Sequence, residues 1–270
     1  MKVGIYDAYG NRIGEVDLPP IFETAVREDL IRRAVLAEQS WRRQPYGTDK
    51  LAGMRTSAHY HGRRRSRFAM IGREMARIPR IHGRGAQYTP LYMEARVVPQ
   101  ARKGRRAHPP KPEKKWEQKI NKKEYVKALR SALAACARLE LVKKRGHEFE
   151  GEVPIVVSEE IENTKSTRQI VEFLKKLKLE AELERGKKKK VRAGKGKRRG
   201  RRYRKKKTIL FIFSKDCPAM KAARNIAGAD VAKVDELTVE LLAPGAHPGR
   251  LLVISLPALK KLGELYGGAA

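Results

Sequence analysis

Four places in this sequence gather residue types that could do chemistry. His59-Tyr60-His61 sets two imidazoles two residues apart. A transition metal asks for three or four such ligands. No cysteine or carboxylate cluster stands near, so the set is incomplete and no metal is expected. Gly194-Lys195-Gly196-Lys197-Arg198-Arg199-Gly200 has the glycines and lysines of a phosphate-cradling turn. It misses the GxxxxGK[ST] spacing that aims backbone N–H groups and one lysine at a nucleotide. Cys217 precedes Pro218, just past the most apolar stretch of the chain, where nucleophiles sometimes sit. With no convincing base to activate it, a buried structural thiol is the expected reading. Glu159, Glu160 and Glu162 could pair as general acid and base, but read as a solvated surface cluster. No catalytic constellation forms. The chain is expected to be no enzyme and to hold no cofactor.

The charge points elsewhere. The 270 residues carry 62 Lys+Arg against 30 Asp+Glu, a formal net of +32. A field of that size repels the compact state from itself and attracts polyanions. No run approaches the roughly 18 apolar residues needed to span a bilayer, and the amino terminus lacks an apolar signal stretch, so nucleic acid is the expected partner rather than membrane. Cys136 and Cys217 are far apart and outside any CxxC pair, which fits two buried thiols in a reducing cytoplasm. Residues 42–111 hold 18 basic and three acidic side chains, a net of +15, and residues 186–207 hold 15 basic and none acidic, another +15. The remaining 178 residues carry only +2. The expected organisation is therefore a discontinuous globular domain over 1–41 and 112–270, an extended basic loop over 42–111, and a basic insertion over 186–207.

The neutral remainder must position these segments, and it reads as α/β. Lys2 to Tyr6 alternates like a strand, Tyr9-Gly10-Asn11 turns, and a return strand follows near Ile13 to Val16. Val26, Leu30, Ala34 and Ala37 predict a helix over 23–39, and Tyr125, Leu129, Leu133 and Cys136 another, with Asn121 and Glu124 spaced as in a capping box. Strands are predicted at Pro154–Val157, Thr208–Phe213, Asp230–Val234 and Leu251–Ile254. Between and after them, helices are predicted from a Ser166 or Thr167 cap, over 219–227 and over 256–265. The Thr208–Phe213 run is apolar on both faces, as a central parallel strand would be. Alternation of this kind predicts a mostly parallel sheet with packed helices.

The first insertion has little apolar periodicity, and a structureless stretch longer than about 15 residues is usually functional or disordered. If it runs out and back, each arm of about 30 residues could reach at most roughly 100 Å. Its arginines are interleaved with Tyr60, Phe68, His82 and Tyr88. Guanidinium groups bridge phosphates, and rings stack on unpaired bases. RNA contact is expected here at Arg63, Arg64, Arg65, Arg67, Arg73, Arg77, Arg80, His82, Arg84, Tyr88, Arg96, Arg102, Lys103, Arg105, Arg106 and His108. In the second insertion it is expected at Lys187, Lys188, Arg192, Lys195, Lys197, Arg198, Arg199, Arg201, Arg202, Tyr203, Arg204 and Lys205. The competing expectation is an RNA-modifying or RNA-cleaving α/β enzyme that uses these arms for grip.

Gly104-Arg105-Arg106-Ala107-His108-Pro109-Pro110 resembles a signature of the universal fourth-protein family of the large ribosomal subunit, in its archaeal and eukaryotic branch. Arg130-Ser131-Ala132-Leu133-Ala134-Ala135, Arg145-Gly146-His147 and Ala223-Arg224-Asn225-Ile226-Ala227-Gly228 resemble further blocks of it in the same order. The resemblance implies a cytoplasmic ribosomal protein that binds large-subunit ribosomal RNA. It implies neighbouring large-subunit proteins as partners, and a loop lining the peptide exit tunnel with the nascent polypeptide near its tip. Arg55, His59, Arg77, Pro79, Arg80 and Gly83 fall on the family's loop pattern, which implies RNA contact at the basic ones. Bacterial members end their loop tip in Phe-Gly-Pro; here the stretch is Gly83-Arg84-Gly85-Ala86-Gln87-Tyr88-Thr89-Pro90.

Overall fold

The structure, a computed structural model, describes residues 1–267, so the last three residues of the expected globular domain lie outside it. The chain separates into two compact units, Met1–Arg42 with Glu117–Ala270, and Arg43–Trp116.

In the larger unit, β1 (Lys2–Tyr6) and β2 (Arg12–Asp17) form an antiparallel hairpin with Lys2 opposite Asp17. Asp7 sets the turn by accepting the N–H groups of Tyr9 and Asn11 at 2.8 and 2.9 Å, the local bonding for which Asp is favoured in turns. Helix α1 runs Glu28–Trp41, not from residue 23. Pro20–Glu23 forms a separate 3₁₀ turn, and Thr24 is extended and donates its hydroxyl to Ile21 O, which leaves Val26 outside the helix. α2 spans Lys122–Cys136 behind Asn121, whose side chain makes no capping bond. Glu124 is turned instead to Arg33 of α1 at 2.6 Å, so the expected capping box is not closed. Then follow α3 (Leu139–Lys144), β3 (Ile155–Val157), α4 (Thr167–Lys176, capped by Ser166) and α5 (Glu180–Lys187). A small hairpin, β4 (Lys189–Val191) and β5 (Tyr203–Lys205), leads to β6 (Leu210–Phe213). Next come α6 (Pro218–Arg224), shorter than the predicted 219–227, then β7 (Asp230–Lys233), α7 (Val239–Leu242), β8 (Leu252–Ser255) and α8 (Leu256–Tyr266).

Six strands form one sheet in the order β2-β1-β3-β8-β6-β7, and every pairing except β1 with β2 is parallel. Period-two alternation explains why the central strands are apolar throughout. Leu210, Ile212, Leu252, Ile254 and Val156 face one core, covered by α1, α2, α7 and α8 through residues such as Ile31, Leu129, Leu133, Leu242 and Leu259. Ile209, Phe211, Phe213, Val253, Ile155 and Val157 face the other, under α3, α4, α5 and α6 through Val142, Ile170, Phe173, Leu174, Leu183 and Met220. Each fully buried side chain of this size stabilises the fold by about 1.5–3 kcal/mol. The result is a three-layer α/β/α domain. Among the described residues no helix is long and apolar enough to cross a membrane.

The smaller unit is of another kind. Its only helical turn is the 3₁₀ segment Gly85–Tyr88, and its only ladder contacts are isolated bridges from Arg80 to His59 and to Ala95. Of its apolar side chains only Ala69 and Met70 are buried.

Candidate nucleic-acid interface

The basic arm, residues 43–116, is held by close backbone approach rather than by a core. Thr48 N–H donates to Pro110 O at 3.3 Å and Arg105 N–H to Val97 O at 2.9 Å. Gly104 is obligatory there, because a Cβ on it would meet Val98 O at 2.0 Å. Arg65, Met93, Val97 and Lys103 all take positive φ, between 56° and 71°. Each such residue costs on the order of 1–3 kcal/mol, and for a β-branched residue such as Val97 the conformation is an outlier. An arm with so little apolar burial and this much backbone strain has little within itself to hold it.

The side chains divide into two groups. Arg55, His59, Arg63, Arg64, Arg65, Arg67, Arg73, Arg77, Arg84, Tyr88, Arg102, Lys103, Arg105, Arg106 and His108 are exposed, Tyr88 to 90%. Others are turned toward the arm itself. Arg96 is buried, donating to Arg102 O at 2.7 Å and pairing with Glu94 at 2.9 Å. Arg80 donates to Met93 O at 2.9 Å and Ala76 O at 3.2 Å, tying its own pass of the chain to the next. His82 is 7% exposed and stacks flat on Phe68 at 4.9 Å. Burial lowers its pKa, and the adjacent His59 and His61 add to that shift. These three side chains shape the arm rather than project from it.

The second basic segment is a hairpin. β4 and β5 pair with Lys189 opposite Lys205, Lys190 opposite Arg204 and Val191 opposite Tyr203. Like charges directly opposite destabilise a pair of strands, and an isolated hairpin is marginal in water even without them. Lys189 and Arg202 lie 4.7 and 5.7 Å from the Tyr203 ring centre. Arg192 is half-buried and donates to Arg201 O, while Lys187, Lys188, Lys195, Lys197, Arg198, Arg199, Arg201, Arg202, Tyr203, Arg204 and Lys205 are exposed. No acid lies between 186 and 207 to neutralise them.

The hairpin's base is anchored by a buried charged group that the sequence does not announce. His147 Nδ1–H donates to Glu182 at 2.7 Å, Arg185 Nε–H donates to the same carboxylate at 2.7 Å, and Arg185 also holds Lys207 O at 3.0 Å. Burial pushes the Glu182 carboxyl up, but the hydrogen bonds from His147 and Arg185 outweigh it and hold the group below its usual value. Gly228, at φ +82°, lies where a Cβ would meet Lys206 O at 2.7 Å, and Thr208 N–H donates to Gly228 O. Arg250, fully buried, donates to Thr208 O and Ile209 O and pairs with Asp230 at 2.7 Å. His147 and Gly228, from the blocks Arg145–His147 and Ala223–Gly228, thus help form the socket of the hairpin.

Glu162 and Cys217 both differ from what the sequence led us to expect. Glu162 is not on a solvated surface; it is 3% exposed and accepts from Ser214 N, Ser214 Oγ and Ser255 Oγ at 3.0, 2.9 and 2.6 Å. Ser214 follows β6 and Ser255 ends β8, so this carboxylate bridges the ends of two neighbouring parallel strands. Glu159 and Glu160 remain exposed. Cys136 is fully buried, its thiol pushed up to about 11 by burial, whereas Cys217 is only half-buried, at the N-terminus of α6. Burial, with Glu162 and Asp216 adding, raises the Cys217 thiol pKa despite two N–H donors, the reverse of an activated nucleophile.

Residues 16–265 match the model of the ribosomal protein L4/L1 family. The chain is 49% identical to the large ribosomal subunit protein uL4 of Archaeoglobus fulgidus over 265 residues, covering 98% of this chain and 99% of that one. It is 48% identical to the protein of the same name from Haloarcula marismortui, covering 98% and all of the relative, and 48% identical to that of Nanoarchaeum equitans, covering 98% of each. The chain belongs to the ribosomal protein L4/L1 family.

Proposed function

We infer that this chain is a structural constituent of the large ribosomal subunit in the cytoplasm, binding large-subunit ribosomal RNA and packing beside other proteins of that subunit. One observation carries the RNA reading. Thirty of the 32 net positive charges lie on 42–111 and 186–207, segments with almost no core of their own, joined to a neutral packed domain. Phosphate contacts supply the missing counter-charge and hold the strained arm in place. The arm, with Arg84 and the 90%-exposed Tyr88 at its 3₁₀ turn, is suited to threading between RNA segments and lining the exit tunnel beside the nascent chain. The alternative of an RNA-processing enzyme finds no support: Glu162 is engaged by Ser214 and Ser255, and the Cys217 thiol pKa is raised rather than lowered.

The test is binding of the purified chain to fragments of large-subunit ribosomal RNA against scrambled RNA of equal length. The expected result is preference for particular fragments that persists at physiological salt. Equal affinity for every fragment and its scrambled version would contradict the reading.

A further inference from the structure

The arm brings together three imidazoles that the spacing of the sequence does not join. His59 faces Arg80 across a pair of backbone hydrogen bonds, His59 N–H to Arg80 O at 3.3 Å and Arg80 N–H to His59 O at 3.1 Å. Side chains two apart on an extended strand share a face, so His61 falls beside His59 on one pass and His82 beside Arg80 on the other. The ring centres of His59, His61 and His82 are 4.5, 4.1 and 4.4 Å apart pairwise, and one nitrogen from each lies within 4.8 Å of the others.

We propose that His59, His61 and His82 form a three-histidine site for a first-row divalent cation of the zinc class. Three details beyond proximity support it. His59 Nδ1 is 2.9 Å from Ser57 O, which can only accept, so the proton sits on Nδ1 and Nε2 presents its lone pair to the cluster. A carbonyl partner of this kind fixes the tautomer and ring orientation of metal-binding histidines. His82 Nε2 is a buried ring nitrogen without a hydrogen-bond partner, in a residue only 7% exposed. A polar atom in that position is costly unless something satisfies it. Phe68, stacked on His82 at 4.9 Å with the planes 9° apart, fixes that ring and shields one of its faces.

The spacing suits the ion. Tetrahedral zinc with Zn–N bonds of about 2.0–2.1 Å places its nitrogens about 3.3 Å apart. His59 Nε2 and His61 Nε2 are 2.7 Å apart, a hydrogen bond that the ion would replace once the His61 ring proton moves to Nδ1, and one nitrogen from each ring lies within 4.8 Å of the others, so modest ring rotations close the site. Neutral imidazoles suit zinc and its first-row neighbours over magnesium or calcium. The exposure of His59 leaves a fourth position open to water. The role is structural. The ion ties residues 59 and 61 to residue 82 within a unit where only Ala69 and Met70 are buried apolar side chains, and so fixes the arm's turn before RNA arrives.

The experiment uses the full-length chain, freed of RNA and metal, titrated with Zn²⁺ and separately with Co²⁺. Bound metal is counted after gel filtration, and cobalt coordination is read from its visible spectrum. Expected are stoichiometric zinc, ligand-field bands of four-coordinate cobalt, and slower proteolysis between 59 and 82 when metal is present. His82→Asn, His59→Gln and His61→Asn should each weaken binding by at least about tenfold, the lower bound even for loss of an outer-shell partner. His108→Ala, an exposed histidine of the same arm, should bind as the parent does. Substoichiometric zinc in the parent, or full binding by His82→Asn, would overturn the site. Unchanged far-ultraviolet circular dichroism in each variant separates ligand loss from misfolding. A variant that does misfold is replaced by His82→Gln, and retention of full binding there would likewise overturn the proposal.

Discussion

Replacing residues 189–205 by a short Gly-Ser turn between Lys188 and Lys206 removes eleven cations and no acid, while leaving the His147–Glu182–Arg185 socket intact. In the parent hairpin Lys189 faces Lys205 and Lys190 faces Arg204, so the strands cannot neutralise one another. Alternation sends neighbouring side chains to opposite faces, so about six of the eleven can reach one RNA backbone at once. Each phosphate neutralised contributes roughly 0.7–0.9 to the slope of log affinity against log salt, so the deletion should flatten that slope by about four to five. Between 50 and 200 mM salt the parent should therefore lose about 250- to 1,000-fold more affinity than the deletion does. The assay is filter binding over a salt series on cognate ribosomal-RNA fragments and scrambled controls. Selectivity should change little, because the arm, with its rings and shaped turns, carries placement. A deletion that abolishes selectivity while the slope stays put would refute this division of labour.

Three further outcomes follow from the same geometry. Glu182→Ala strands the Arg185 guanidinium in a buried site and should cost about 3–5 kcal/mol, or roughly 6–20 °C in Tm for a domain of this size, with Glu182→Gln milder. Because the folded carboxyl titrates below its ordinary 4.5, its contribution is complete above that value and is lost as pH falls through the folded value, so the acid limb of a melting-against-pH series should flatten in the Gln variant. Free protein should be cut by dilute protease within 46–108 and 186–207 and protected there on its cognate RNA; equal protection without RNA would show arms that order themselves. Cys217→Ser should leave RNA affinity and Tm unchanged within error, as a thiol held protonated and half-exposed does no chemistry.

The sequence is most legible where physics is local. The run Ile209–Phe213 has only one home, a strand covered on both faces, and it lies between β7 and β8 with every side chain buried. The charge segregation needs only counting. What escapes is set by contacts between residues far apart in the chain. Glu162 looks like one of three surface acids until Ser214 and Ser255 converge on it from 52 and 93 residues away. Arg96 and Arg80 look like their exposed neighbours, and only the folding of the arm turns their donors onto backbone carbonyls. His82, twenty-one residues past His61, joins the histidine pair for the same reason. The capping box before α2 fails because Arg33 competes for Glu124. The helix α5, whose face contributes Leu183 to the core and Glu182 and Arg185 to the socket, is masked by the cations that follow it.

A chain built into the large subunit must travel with it. The direct measurement is sedimentation of a cell extract containing a tagged copy of the full chain, with the gradient repeated after a high-salt wash. One copy per large subunit, retained through the wash, is expected of an arm that is threaded rather than merely attracted. Chain left at the top of the gradient, migrating with small subunits, or stripped completely by salt would contradict it.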